Sequence, residues 1–115
     1  MRLRAERNEM IKTQLLAGGT VSYRNSGWSL MPRVKPNDLC SFIPVRHASQ
    51  VEVGTIVFCQ IPATGRIYAQ VVGNIQWCSE EKKPYYWIRN GKDLVHRNGW
   101  CWLSNIFGSL CLVDS

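Results

Sequence analysis

The sequence predicts one mainly β domain: a coiled antiparallel sheet or partly open barrel of six to seven strands, preceded by one N-terminal helix. Three observations predict this fold. The chain has 115 residues, a length that suits one domain. Its composition, 45% hydrophobic and 19% charged, is typical of a globular protein. After residue 20, short apolar or aromatic runs alternate with turn-forming residues, and this spacing is typical of antiparallel sheets.

The first predicted element is a helix over residues 4–16, a stretch without proline or glycine. Three apolar residues recur at helical spacing and are expected on one side: Met10, Ile11 and Leu15. Gly18 and Gly19 predict the end of the helix, since glycine readily takes the left-handed conformation that terminates helices. The β part of the domain is expected over about residues 20–113.

The strands are predicted from β-branched and aromatic runs between turn signals. In chain order they are 20–24, 38–45, 55–61, 66–77, 85–89 and, as one or two short strands, 106–113. The turn at 62–65 predicts that the third and fourth strands form a hairpin. Gly73 predicts a bulge in the fourth strand. Polar loops are expected at 46–54 and 79–84, and an irregular segment at 92–102.

The charge and the cysteines limit the partners and the compartment. Fourteen basic and eight acidic residues give a net charge of +6, which favours anionic partners. The five cysteines include no C-x-x-C pair, so we predict no metal site, no cofactor and a reducing compartment. Cys40, Cys59 and Cys111 lie in apolar runs and are interpreted as buried. The charged N-terminus and the lack of a long apolar run predict a soluble, cytoplasmic protein that does not enter membranes.

The stretch Ser-Gly-Trp-Ser-Leu-Met-Pro at 26–32 contains the candidate site. Ser29 has two interpretations. It is either a turn serine that bonds local backbone or a nucleophile at the end of a groove.

Several landmarks in chain order resemble the peptidase fold shared by signal peptidases and self-cleaving LexA-type repressors. Residues 27–32, Gly-Trp-Ser-Leu-Met-Pro, are similar to that family's Gly-x-Ser-Met-x-Pro. Residues 35–40 and 53–58 resemble its segments with Gly-Asp pairs, which here read Asn-Asp and Gly-Thr. Residues 90–93 and 106–113 resemble its later Lys-Gly-Asp and Ile-x-Gly-x-Val motifs. The resemblance covers about residues 15–113.

The resemblance implies a serine nucleophile, Ser29, activated by a lysine or histidine that precedes an Arg-Val-Val/Ile-Gly run on the strand after the Gly-Asp-Ile-Val strand. Here Gln70 to Gly73 match that run, and the base position is occupied by Ala69, which cannot accept a proton. Lys92, in the turn after Asn90 and Gly91, is the remaining candidate base. The two histidines, His47 and His96, are interpreted as surface loop residues.

Three function classes therefore stay open. The first is a non-catalytic peptidase-fold protein that binds a peptide segment or a protein partner, of the accessory kind found in phages and mobile elements. Its expected binding residues are Gly27, Trp28, Met31, Pro32, Ala69 and Gln70. The second is an active or self-cleaving serine peptidase using Ser29. The third is a nucleotide or nucleic-acid binder that uses the basic surface and exposed aromatics. The five tryptophans are candidates for groove walls or for the core: Trp28, Trp77, Trp87, Trp100 and Trp102.

Overall fold

The computed structural model describes residues 2–91 and 97–115, except for the side chains of residues 2 and 3. Helix α1 covers Arg2–Leu16. Seven strands follow in the described residues: β1 Val21–Arg24, β2 Leu39–Pro44, β3 Ile56–Gln60, β4 Ile67–Cys78, β5 Lys83–Arg89, β6 Gly99–Trp102 and β7 Ile106–Asp114. Two short 3-10 turns lie at Ala48–Gln50 and Leu103–Asn105.

The strands form one antiparallel sheet in the order β1-β2-β7-β3-β4-β5-β6. The sheet curls into a half-barrel, which confirms the predicted fold class. Only β7 departs from sequence order, because it inserts between β2 and β3. The last strand of the chain therefore lies in the centre of the sheet and joins its two halves.

The predicted hairpin is confirmed: β3 and β4 pair from Ile56 opposite Val71 to Gln60 opposite Ile67. The predicted bulge is confirmed too, since the register between β4 and β5 shifts around Gly73. A Cβ at Gly73 would lie 3.1 Å from the Arg89 side chain, so the glycine also gives that side chain room.

Two boundaries in the second half of the chain were predicted wrongly. Strand β5 begins at Lys83, inside the expected loop at 79–84. Residues 99–102 form strand β6, although an irregular segment was expected over 92–102. The reason is tertiary: β6 pairs with β5 along its whole length, and this pairing overrides the local turn signal of Asn98 and Gly99. Residues 92–96 lie outside the described part of the chain.

The helix ends as predicted, with Gly18 in the left-handed region at φ +96°. Only two of its three expected core residues are buried, however. Ile11 and Leu15 pack on the sheet, whereas Met10 is 64% exposed. A helix turns by about 100° per residue, so Met10 lies about 140° away from Leu15 around the axis.

Two hydrophobic clusters lie on opposite faces of the sheet. One is beneath α1 and includes Phe42 and Phe58. The other includes Val57, Val72 and Tyr86. Because side chains alternate along a strand, β3 contributes neighbouring residues to both clusters.

The five cysteines are free thiols, and Cys40 and Cys59 are buried as expected. The same expectation is wrong for Cys111, which is exposed because the last residues of β7 extend past the helix-covered core. The described residues contain no group of side chains that could hold a metal ion. No helix in the described part is long and apolar enough to cross a membrane.

Candidate functional site

A groove lies beside the predicted nucleophile and has a volume of about 610 Å³. Three segments line it: the first turns of α1, the chain from Tyr23 to Ser29, and the start of β4 with the preceding Gly65 and Arg66. We call it the Ser29 groove. It brings together five residues that were expected at one site: Gly27, Trp28, Ser29, Ala69 and Gln70.

The loop that presents Ser29 is held at its base by Asn25, which is buried. The Asn25 side-chain amide donates to the carbonyls of Gly27 at 3.0 Å and Lys35 at 3.2 Å. The loop is anchored further by Leu30 and Val34, which are both buried in the core beneath α1. The serine thus lies on a fixed turn at the groove wall. Met31 and Pro32, joined by a cis peptide bond, belong to this turn but do not line the groove.

Gly91 packs against the same turn from the other side. Its backbone N–H donates to the Ser29 carbonyl. A Cβ at this position would lie 2.9 Å from the Leu30 carbonyl oxygen and closer still to that of Met31. The close approach therefore requires glycine. Lys92, the candidate base that follows in sequence, and His96 lie outside the described residues.

Among the described residues, the hydroxyl of Ser29 contacts a side-chain amide. Gln70 Nε2 donates to Ser29 Oγ at 3.3 Å, and Asn98 Nδ2 donates to Gln70 Oε1 at 3.1 Å. Because the amide oxygen already accepts from Asn98, its nitrogen faces the serine. A carboxamide nitrogen donates and cannot remove a proton. Gln70 is 4% exposed, so this arrangement is fixed by burial.

Ala69 lines the groove next to Gln70, so the expected base position carries only a methyl group. The basic side chains among the described lining residues are three arginines, Arg4, Arg7 and Arg66. A guanidinium remains protonated in proteins and cannot serve as a general base. The described lining contains no lysine and no histidine, and His47 is exposed in a surface loop, as predicted.

The start of β4 presents a free backbone edge to the groove. Pairing with β5 begins only at Val71, so residues 67–70 have no neighbouring strand on that side within the described chain. Val72 exchanges backbone hydrogen bonds with the segment before β3. In an antiparallel ladder the direction alternates, so the N–H and C=O of Ala69 point away from β3.

Sequence reasoning missed the contribution of α1. Asn8 is buried, and its Nδ2 donates to the Ile67 carbonyl at 2.8 Å, which occupies one acceptor of the free β4 edge. A signal for this contact is present, since Asn8, Ile11 and Leu15 share one helical face at spacings of three and four residues. A polar residue on a buried face indicates a specific partner.

Tyr23 lines the groove, and Arg7 lies over its ring at 4.8 Å. Burial raises the pKa of the Tyr23 hydroxyl well above its usual range; the nearby Cys40 raises it further and Arg7 lowers it. The Tyr23 hydroxyl is therefore largely withdrawn from solvent.

Of the five tryptophans, Trp28 alone lines the groove, and it is 63% exposed. None of the five is buried, so the alternative of core residues is also wrong. Trp87, Trp100 and Trp102 lie on the outer face of β5 and β6, because their strand neighbours Tyr86 and Cys101 occupy the core face.

We call this outer surface the aromatic face. Its four rings, Tyr85, Trp87, Trp100 and Trp102, pack edge to face with centroids 5.0 to 6.3 Å apart. Two cations flank them. Lys83 lies 4.3 Å above the Trp102 ring, and Arg97 lies 4.5 Å above the Trp87 ring.

No protein-family model matches the chain, and no curated protein matches it.

Proposed function

We propose that this chain is a non-catalytic binding protein that holds an extended peptide segment of a protein partner in the Ser29 groove. The observation that carries the proposal is the free β4 edge at Ala69, which faces the groove beside the Ser29 turn. An extended peptide gains main-chain hydrogen bonds by adding to such an edge.

The exposed Trp28 supports this proposal. Its ring lies on the wall of the groove and is 63% exposed, an unusual state for so large an apolar side chain. Tryptophan is enriched among residues that dominate binding energy, because it buries a large area with few rotatable bonds. Strand addition at Ala69 would hold the backbone of the peptide, and contact with the Trp28 ring would hold one of its side chains.

The chemistry around Ser29 favours binding over cleavage. Its hydroxyl accepts from the Gln70 amide, and Ala69 occupies the position that the resemblance assigns to the base. In a well-characterised triad enzyme, loss of the nucleophile or of the base lowers turnover by about 10⁶. A relation to LexA-type repressors and signal peptidases is part of the proposal, supported by the meeting of Ser29, Ala69 and Gln70. A cytoplasmic location is proposed on the free thiols.

The test is selection from a random library of peptides of about eight residues, the length of one strand. Selected peptides are then titrated against three variants. Ala69→Pro removes the free N–H, and Trp28→Ala removes the groove wall. Trp77→Ala is the matched control, since Trp77 is 64% exposed but does not line the groove. We expect Kd to rise about tenfold or more for the first two variants and to be unchanged for the third.

Circular dichroism and urea unfolding establish that each variant is folded. If peptides bind the Ala69→Pro and Trp28→Ala variants as tightly as the parent, the groove is not their site. A serine-directed probe at pH 7 to 9 tests the catalytic alternative. Labelling that is lost in both Ser29→Ala and Lys92→Ala would establish a serine peptidase and overturn the non-catalytic proposal.

The aromatic face favours a second candidate function, the binding of single-stranded nucleic acid. Its four half-buried rings and the cations Lys83 and Arg97 supply stacking and phosphate contacts on one surface. The two functions are separated by position, because this face and the groove share no residue. Oligonucleotide binding weakened by Trp102→Ala and unaffected by Trp28→Ala would place it here; an equal loss in both variants would exclude this face.

A further inference from the structure

The charge of the Ser29 groove is strongly asymmetric. Among its described lining residues are three guanidinium groups, from Arg4, Arg7 and Arg66, and one carboxylate, from Glu9. Arg4 and Arg66 are exposed to solvent, whereas Arg7 is partly buried. An anionic group on a ligand would therefore gain most at Arg7, where water screens charge least.

Arg7 has donor capacity that the described residues leave unused. Its Nε is buried and has no hydrogen-bond partner among them. Its Nη2 lies 3.4 Å from Asn8 Oδ1, at the long limit for a hydrogen bond. The guanidinium also lies over the Tyr23 ring at 4.8 Å.

Because Nε is closed to solvent, it is closed to a ligand as well, and the terminal nitrogens are the donors that a ligand can reach; Nη1 has no hydrogen bond to a described residue. The fork formed by the two terminal nitrogens of a guanidinium matches the two oxygens of a carboxylate, which accepts both hydrogen bonds in one plane.

Main-chain pairing of a peptide ligand is limited at the start of the β4 edge. Asn8 already donates to the Ile67 carbonyl at 2.8 Å, so main-chain pairing along the β4 edge stops short of Ile67. Beyond Ala69, therefore, a ligand reaches Arg7 with a side chain or with its own C-terminus.

We propose that the peptide bound in the Ser29 groove carries a carboxylate that pairs with the Arg7 guanidinium, so that the partner of this protein presents an acidic segment or an acidic chain end. This inference rests on the proposed function of the groove. It specifies the chemistry of the ligand at one position.

The test uses the best-bound peptides from the random library as probes. Each is resynthesised with Glu, Gln or Lys at every position in turn, and each form is made with a free or an amidated C-terminus. We expect the change from Glu to Gln at one position, or amidation alone, to weaken binding by about tenfold or more. Loss on the Glu-to-Gln change identifies a side-chain carboxylate, and loss on amidation identifies the chain end.

Four protein variants assign the contact: Arg7→Gln, Arg7→Glu, Arg66→Gln and the control Arg46→Gln. Arg7→Gln is expected to abolish the preference for the carboxylate, and Arg7→Glu to reverse it in favour of Lys at the same position. A loss of folding cannot produce such a reversal. Arg46→Gln is the matched control, because Arg46 is an exposed arginine outside the groove and its removal changes the net charge equally. It is expected to leave the preference unchanged.

The outcomes separate this inference from the proposed function. Peptides that bind the groove with equal affinity for Glu, Gln and Lys forms and for both chain ends would overturn the inference and leave the peptide-binding proposal intact. A preference kept in Arg7→Gln but lost in Arg66→Gln would also overturn it, since the contact would belong to Arg66. Failure to select any groove-binding peptide would overturn the proposed function and the inference with it.

Discussion

Gly91 lies where the chain passes closest to the Ser29 turn, with its N–H on the Ser29 carbonyl. The turn is thus supported by residues far apart in sequence. Gln70 donates to the serine hydroxyl at 3.3 Å, and Asn98 in turn donates to the Gln70 side-chain oxygen at 3.1 Å. Their separations of 41 and 28 residues explain why sequence reasoning placed Gln70 at the site through the resemblance alone and missed Asn98 altogether. Such contacts depend on strand register.

Gly91→Ala is expected to destabilise the protein. The added Cβ would lie 2.9 Å from the Leu30 carbonyl oxygen, so backbone of the Ser29 turn must move. Forcing an extra carbon into a packed position costs about 1 to 3 kcal/mol. The free energy of unfolding, measured in urea, should fall by that amount.

Gly27→Ala is the matched control, since a Cβ there meets nothing within 4 Å. Its effect should stay within about 0.5 kcal/mol, the range for unconstrained surface positions. If the two variants are equally stable, the Ser29 turn moves to accommodate the added Cβ at position 91 without loss of stability.

At the scale of elements, the hairpin of β3 and β4 could be predicted because all its signals are local: two apolar runs and a short turn at 62–65. Strand β6 could not. Its residues Gly99–Trp102 follow a turn signal, and the strand forms by pairing Trp100 with Trp87 and Trp102 with Tyr85 on β5. The groove could not be predicted either, because the residues of α1 and β4 that line it are far apart in sequence and are brought together by the curled sheet.

Asn8 joins α1 to β4, and its substitution tests how the helix is held. Asn8→Ala removes the donor to the Ile67 carbonyl and leaves that acceptor unpaired at the groove. We expect the free energy of unfolding to fall by about 0.5 to 1.5 kcal/mol, the net contribution of one hydrogen bond whose acceptor can turn to water in the groove.

Thr13→Ala is the control for this substitution. Thr13 also makes a side-chain hydrogen bond, to the Glu9 carbonyl at 3.0 Å, but it is exposed and the bond stays within the helix. It should change stability by less than about 0.5 kcal/mol. An Asn8→Ala variant as stable as the parent would mean that packing of Ile11 and Leu15 alone holds the helix.

At the scale of the whole molecule, β3 and β7 couple the two hydrophobic clusters. Phe58 belongs to the cluster beneath α1 and Val57 to the opposite one, so β3 cannot leave the sheet without opening both. β7 pairs with β2 and with β3, which joins the two halves of the sheet. A domain of this size and connectivity should unfold in one cooperative transition.

Leu15→Ala tests that coupling from one side of the sheet. Leu15 is buried against Gly108 of β7, where a Cβ on the glycine would lie 2.9 Å from a Leu15 methyl, so truncation leaves a cavity over the central strand. The expected loss is about 2 to 5 kcal/mol. The neighbouring Leu16, 52% exposed, supplies the control, and Leu16→Ala should be nearly neutral.

Unfolding is followed by far-ultraviolet circular dichroism and by tryptophan fluorescence, which is dominated by residues outside the helix-covered core. If β3 and β7 couple the clusters, both signals shift to the same lower midpoint; a fluorescence midpoint that stays at the parent value would show that the two sides of the sheet unfold separately.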